Sequence, residues 1–161
     1  MQKQANNITF GYSDSEDRIW LRLLLTEGGE ARLWLTRRLC IGICNGVAGM
    51  IEKYTPASEQ ESVETYLKKE FYEASRSTFD PTPPPPSKET SNETLSPSMG
   101  LCRTAYIDAG DVWRLRLVGP QQIEYVLPLD RTLTQKVLVA LFKQAHIAGW
   151  SIPSTHNWLR I

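Results

Sequence analysis

The sequence of 161 residues has little histidine, little cysteine and no net charge. It contains two histidines and three cysteines, and 18 Lys and Arg residues balance 18 Asp and Glu residues. A dedicated nucleic-acid-binding protein neutralises phosphates with clustered Lys and Arg, so a neutral chain is atypical of that class. No apolar run reaches the roughly 20 residues that span a membrane, and the N-terminus lacks the apolar stretch of a signal peptide. We therefore expect a cytoplasmic protein with reduced thiols and no membrane contact.

Motifs for catalysis and metal binding are also absent. Cys40 and Cys44 lie one helical turn apart, a spacing more typical of small buried side chains than of a zinc site with four ligands. The sequence has neither a nucleophile elbow of the Gly-x-Ser-x-Gly type nor a glycine loop that would bind phosphate. We accordingly expect no catalytic residue, no metal and no cofactor, and the protein is not predicted to be an enzyme. A small enzyme using cysteine and histidine is kept as an alternative.

A proline-rich segment interrupts an otherwise globular composition. Apolar residues make up 41% of the chain and charged residues 22%, as in an ordinary globular domain. Residues 79–100 hold six of the ten prolines, together with many Ser, Thr, Glu and Asn residues. Such a segment buries too little apolar surface to offset its ordering entropy. We predict a single domain over 1–161 with a disordered loop at 79–100; alternatively, the loop is a ligand for a proline-binding groove.

The segments on the two sides of this loop have the same pattern. Each contains two alternating apolar strands, a glycine-containing turn, and a helix that follows a capping residue. The cap of the first helix is Thr36 and that of the second is Asp130. Further strands are predicted at 8–12 and 102–107. The pattern predicts an α+β protein with two ββα-like halves.

The leucines of the first hairpin alternate with polar and aromatic residues, so one face of the hairpin is predicted to be apolar. A three-residue loop over 27–29 keeps that face apolar and sets Arg22 opposite Trp34. By the same argument, Arg116 of the second hairpin lies within reach of Glu124.

Apolar periodicity and capping signals predict three helices, over residues 36–54, 58–74 and 130–148. The first helix carries three glycines on one face: Gly42, Gly46 and Gly49. Each glycine destabilises a helix interior by about 1 kcal/mol relative to alanine. Their spacing therefore predicts the close approach of another backbone.

The candidate interaction residues are tryptophans and arginines, the residue types most enriched at binding hot spots. They lie on the outer face of the first hairpin and near the C-terminus: Trp20, Arg22, Arg32, Trp34 and Trp158. Two alternatives stay open, namely that a helix or the loop covers the hairpin tryptophans, and that Trp158 packs back onto the protein. Nucleic acid is a further alternative partner for the arginine-bearing strand faces.

This order of elements resembles the head domain shared by end-joining DNA-repair scaffold proteins and the centriolar cartwheel protein. Residues 19–50 resemble the strand-turn-strand-helix unit of that head, and 113–148 resemble its last strands and closing helix. The resemblance implies an antiparallel β-sandwich or open barrel with an inserted helix pair. The coiled coil that follows the head in that family has no counterpart in 151–161, which Pro153 interrupts. What the resemblance implies about function is a non-catalytic, scaffold-like module that binds a protein partner or forms a homodimer.

Overall fold

The computed structural model describes residues 1–55, 62–77, 99–153 and 156–159. In chain order its elements are β1 (Gln2–Ser13), β2 (Arg18–Leu25), β3 (Glu30–Leu35), α1 (Arg37–Lys53), α2 (Val63–Ser77), β4 (Gly100–Leu101), β5 (Thr104–Ala109), β6 (Trp113–Val118), β7 (Glu124–Leu129) and α3 (Arg131–Ile147). The predicted α+β class is confirmed. The predicted capping box at 58–61 and the disordered loop up to residue 98 lie outside the described residues. Gly100, which was expected to belong to that loop, lies in β4.

The seven strands form one curled, mixed sheet that makes a half-barrel. Their order is β4-β3-β2-β1-β7-β6-β5. The hairpins and their flanking strands pair antiparallel, whereas β1 pairs with β7 and β3 pairs with β4 in parallel. Both parallel pairings are short, three residues between β1 and β7 and two between β3 and β4. The sheet therefore consists of two antiparallel meanders, β1-β2-β3 and β5-β6-β7, joined by the short parallel pairing of β1 with β7. The short strand β4 pairs in parallel with the outer side of β3.

The two meanders, each followed by a helix, are built alike. Residues 19–24 of β2 and each position of β3 and α1 match the position 94 residues later in β6, β7 and α3, as Leu35 matches Leu129. The helix caps also match, because the Thr36 hydroxyl accepts from the amide of Leu39 (3.2 Å) and the Asp130 carboxylate accepts from the amide of Leu133 (2.7 Å). This places α1 and α3 at equivalent positions on the apolar face of the sheet.

The core lies between that apolar sheet face and the two helices. Its fully buried side chains are mainly branched aliphatic residues of the four hairpin strands, such as Ile19, Leu21 and Leu115. Cys40 and Cys44 of α1 are also fully buried in it, as the sequence predicted for small hydrophobic side chains. The predicted helix ends are confirmed for α1 and α3, and Gly149 takes the left-handed conformation (φ +72°) that ends α3.

The predicted register of the first hairpin is wrong by two residues. Leu24 pairs with Glu30, so Arg22 lies opposite Arg32 rather than Trp34. The turn is longer than predicted: Thr26 lies in it, and its amide donates to the carbonyl of Gln4 in β1 (3.0 Å). The predicted contact of the second hairpin is confirmed, since Arg116 and Glu124 form an ion pair at 2.6 Å.

Candidate functional site

A groove of about 360 Å³ runs between α1 and β5. It is lined by the glycine face of α1 and by β5: Gly42, Ile43, Gly46, Gly49, Met50, Lys53, Tyr54, Ala105, Tyr106, Ile107 and Ala109. Within the described part of the chain, β5 pairs only with β6. The outer row of N–H and C=O groups of β5 therefore has no strand partner, and an unpaired edge of this kind is a template for another extended chain.

The three glycines of α1 leave this groove open. A Cβ atom at Gly42 would have no neighbour within 4 Å, and one at Gly46 would lie 3.9 Å from the side chain of Ile107. At Gly49 the nearest atom would be Nε2 of His156 at 3.8 Å. The close backbone approach expected from the sequence is thus not found within the described residues. A side chain would fit at each position, and packing among the described residues does not require glycine there.

The second half of the molecule supports this conclusion. The positions of α3 that match the three glycines carry side chains: Lys136, Ala140 and Lys143. Lys143 reaches α2, where its Nζ donates to the carbonyl of Ser75 (2.8 Å). The fold therefore accepts residues larger than glycine on this helix face, and the groove is a particular property of α1.

Aromatic side chains and one cation form the rim of the groove. Tyr54 and Tyr106 are 45% and 49% exposed, high values for residues of this size. The ring of Tyr54 leans on Trp113 with ring centres 5.6 Å apart, and Nζ of Lys53 lies 5.5 Å from the centre of the Tyr54 ring. Lys53 is the one charged residue among those that line the groove.

The four predicted interaction residues of the first hairpin share one face of the sheet. Trp34 is only 7% exposed, so its indole lies inside the protein. Trp20 is half-buried, and its indole lies directly over Gly11, where any Cβ atom would collide with it. Arg22 and Arg32 are turned towards one carboxylate, that of Glu30, at 3.5 Å and 2.5 Å.

Trp158, the fifth predicted interaction residue, lies apart from the hairpin face. It is 3% exposed and packs edge-on against Phe71 of α2, with ring centres 6.0 Å apart. Its Nε1 donates to Glu52 of α1 (3.1 Å). Of the two alternatives for Trp158, the structure shows the one in which the side chain packs back onto the protein.

Three arginines of the strand faces, Arg22, Arg32 and Arg116, are engaged with carboxylates. Arg116 is paired with both Glu124 and Asp108, the latter at 3.1 Å. The hydrogen bond from Arg116 is the main cause that lowers the pKa of Glu124. Together with Glu30, which Arg22 and Arg32 share, these pairs offset part of the positive charge that would attract a nucleic-acid backbone.

The thiols are poorly placed for nucleophilic chemistry. Burial raises the pKa of Cys102 to about 11, and its Sγ donates to the carbonyl of Thr104 (3.3 Å). The hydrogen bond with Cys40, and then burial, raise the pKa of Cys44. In the described ranges, no three His, Cys, Asp or Glu side chains are grouped so that they could hold a metal ion. Nor is any helix in those ranges long and apolar enough to cross a membrane.

The chain matches no family model, no curated protein and no solved structure. The resemblance to scaffold head domains stays a prediction. The groove residues Lys53, Tyr54 and Tyr106 were not among the candidates chosen from the sequence. The signal that could have found the groove is the glycine face of α1, which is destabilising for a helix and marks a surface kept free of side chains.

Proposed function

We propose that the protein is a non-catalytic protein-interaction module that binds an extended segment of a partner protein between α1 and β5. The observation that carries the proposal is the unpaired edge of β5, which faces the groove. A partner segment that adds to this edge as a further strand gains backbone hydrogen bonds along its length. Alternate side chains of the segment would then point towards the floor of the groove.

The lining of the groove specifies the chemistry of the partner segment. The glycine positions of α1 leave room for large apolar side chains, which would cover Ile43 and Met50. Lys53 stands at the end of the groove beside Tyr54, and its charge favours a carboxylate on the partner. The segment is accordingly an extended, mainly apolar peptide with one acidic group.

Two other functions have less support. A nucleic-acid partner needs several unpaired Lys and Arg residues on one face, whereas the groove offers one cation, Arg116 is paired with two carboxylates, and Arg22 and Arg32 share Glu30. A cysteine-dependent enzyme needs an accessible thiolate, whereas all three cysteines are buried. The interaction function is therefore the one that the groove favours.

Selection from a phage-displayed library of random dodecapeptides tests the proposal. The selected peptides are expected to alternate large apolar residues and to carry an acidic residue near one end. Their affinity, measured by fluorescence anisotropy, is expected to fall at least tenfold in Lys53→Glu. Lys136→Glu makes the same change at an exposed lysine of α3 outside the groove and is the control. If the peptides bind Lys53→Glu and Lys136→Glu with equal affinity, Lys53 does not bind the acidic group of the peptide.

A pair of substitutions at Gly46 separates binding from folding. Both Gly46→Ala and Gly46→Leu increase helix propensity, by up to about 1 kcal/mol, but only leucine fills the groove. Peptide binding is expected to survive in Gly46→Ala and to be lost in Gly46→Leu, with both variants folded by circular dichroism. Peptides that bind Gly46→Leu as well as the wild type would show that the groove is not their site. A dimer by light scattering that Gly46→Leu dissociates would identify the occupant as a second copy of this chain, against the proposal.

A further inference from the structure

A second cavity, of about 500 Å³, lies where the ends of the two hairpins meet. Among the described residues, β4 pairs with β3 only at Leu33 and Trp34, and the first half of β3 is paired only with β2. One side of the cavity is closed by the turn after β6, where the ring of Pro120 lies directly against Gly100. This hairpin-end cavity is separate from the groove between α1 and β5, and none of its lining residues belongs to that groove.

The floor of the hairpin-end cavity is apolar. It is formed by side chains of the leucine-bearing sheet face: Leu25, Ala31, Leu33, Ile123 and Tyr125. Ala31 and Tyr125 occupy matching positions of the two halves, since Ala31 pairs with Leu23 and Tyr125 pairs with Leu117. The first half thus has a methyl group where the second has a phenol ring, and this difference leaves space on the floor.

The rim of the cavity has a surplus of positive charge. Lys3 and Arg32 both line it, with Glu30 as the one carboxylate. Glu30 is shared, because Arg32 and Arg22 both approach it. Nε of Arg22 is buried without a hydrogen-bond acceptor, although it lies 3.5 Å from the carboxylate. Among the described residues, Lys3 has no ion pair, so the described lining of the cavity carries one more cationic than anionic side chain.

The phenol of Tyr125 adds a neutral donor beside this rim. Burial raises the pKa of Tyr125, which keeps its hydroxyl protonated at neutral pH. The cavity therefore combines an apolar floor, a phenolic donor and two cationic side chains, within the size range of roughly 300–1,000 Å³ that is usual for small-molecule sites.

We infer that the hairpin-end cavity binds a small amphipathic anion, with its apolar body on the floor between Ala31 and Tyr125 and its anionic group at Lys3 and Arg32. The inference does not rest on the function proposed for the groove. The ligand class is a short aliphatic or aromatic carboxylate, or another molecule with one anionic group on a comparable apolar body.

Three probes of equal chain length test the charge preference: octanoate, octanol and octylamine. Isothermal titration is expected to give a dissociation constant for octanoate at least tenfold lower than that for octylamine, with octanol between them. Lys3→Gln is expected to weaken octanoate binding at least threefold and to leave octanol binding unchanged. Lys136→Gln removes a lysine far from the cavity and is expected to change neither. Equal binding of octanoate and octylamine, or of octanoate to the wild type and Lys3→Gln, would overturn the inference.

A substitution on the floor tests the location. Ala31→Tyr introduces the residue that the second half has at the matching position, and it is expected to abolish binding of octanoate and octanol. Circular dichroism and urea unfolding check that this variant is folded. Undiminished binding to folded Ala31→Tyr would place the ligand elsewhere and refute the assignment. Should this variant not fold, the Lys3→Gln comparison still decides the inference.

Discussion

Trp158 contacts both α1 and α2, and its removal is expected to destabilise the protein strongly. Its ring packs against Phe71 of α2 while its Nε1 donates to Glu52 of α1. The side chain is 3% exposed, so almost all of its apolar surface is buried. Trp158→Ala therefore leaves a cavity where the ring packed, and Glu52 keeps only the hydrogen bond with His156.

The expected loss for Trp158→Ala is about 3–5 kcal/mol, the usual range for removing a large buried aromatic side chain. A domain of this size has a total stability of roughly 5–15 kcal/mol, so the loss is at least about a fifth of the stability. The melting temperature should fall by roughly 6–20 °C, since each kcal/mol corresponds to about 2–4 °C at this chain length. Trp158→Phe keeps most of the packing and loses the hydrogen bond. Because the Glu52 side chain is 46% exposed, we expect this variant to lose only about 1–2 kcal/mol.

Urea unfolding followed by far-ultraviolet circular dichroism measures both variants. The order wild type, Trp158→Phe, Trp158→Ala is expected for the free energy of unfolding. A loss below about 1 kcal/mol for Trp158→Ala would refute the packing argument, because a buried indole cannot be removed at so small a cost. Equal losses for the two variants would show that the hydrogen bond, and not the ring, carries the effect.

The contact at Glu52 also predicts a pH dependence. Hydrogen bonds from His156 and Trp158 lower the pKa of Glu52 below its ordinary value of 4.5, with Nδ1 of His156 at 2.6 Å from the carboxylate. A carboxyl group whose pKa is lower in the folded than in the unfolded state stabilises the fold above the unfolded pKa. That contribution is lost as the pH falls through the folded pKa. The stability difference between wild type and Glu52→Gln is thus expected to be largest near neutral pH and to shrink in acid. A difference independent of pH would contradict this assignment.

Three further predictions concern single residues. Gln122 has a left-handed backbone (φ +59°) in the turn between β6 and β7, so Gln122→Gly should raise the free energy of unfolding by about 0.5–1 kcal/mol; a loss in urea unfolding would contradict this. Arg131 of α3 holds Glu70 of α2 through two hydrogen bonds of 2.8 Å, and Arg131→Gln should lower that free energy by about 1–2 kcal/mol because the pair is only partly exposed. The Cys102 thiol, whose pKa burial raises to about 11, should resist alkylation by iodoacetamide at neutral pH until urea unfolds the protein, and mass spectrometry of the labelled peptide would reveal early reaction.

The features that the sequence predicts well are those with local causes. The caps Thr36 and Asp130 lie next to the helices they begin, and Gly149 follows the helix it ends. The ion pair between Arg116 and Glu124 needs only the twist and spacing of one hairpin. In each case the interacting groups are close in the chain, so periodicity and turn chemistry are sufficient to identify them.

The features that the sequence does not predict depend on distant partners. The first hairpin has a longer turn than predicted, and Thr26 in that turn bonds to Gln4 of another strand. The parallel pairing of β1 with β7 joins residues more than 120 positions apart. Burial of Trp34 and Trp158 likewise depends on tertiary packing, and alternation alone cannot distinguish a covered tryptophan from an exposed one. The turn at Gln122 lacks the Asn-Gly signal typical of its conformation, so sequence chemistry gives no warning of it.

Both proposed sites arise from one kind of difference between the two halves of the molecule. In α1, three glycines stand where α3 has Lys136, Ala140 and Lys143, and in the first hairpin Ala31 stands where the second has Tyr125. The fold accepts the larger side chain at each matching position, so the small residues are not requirements of the shared architecture. Glycine in a helix and an unfilled cavity both lower stability. If the two proposals hold, binding at the groove and at the hairpin-end cavity offsets this loss of internal packing.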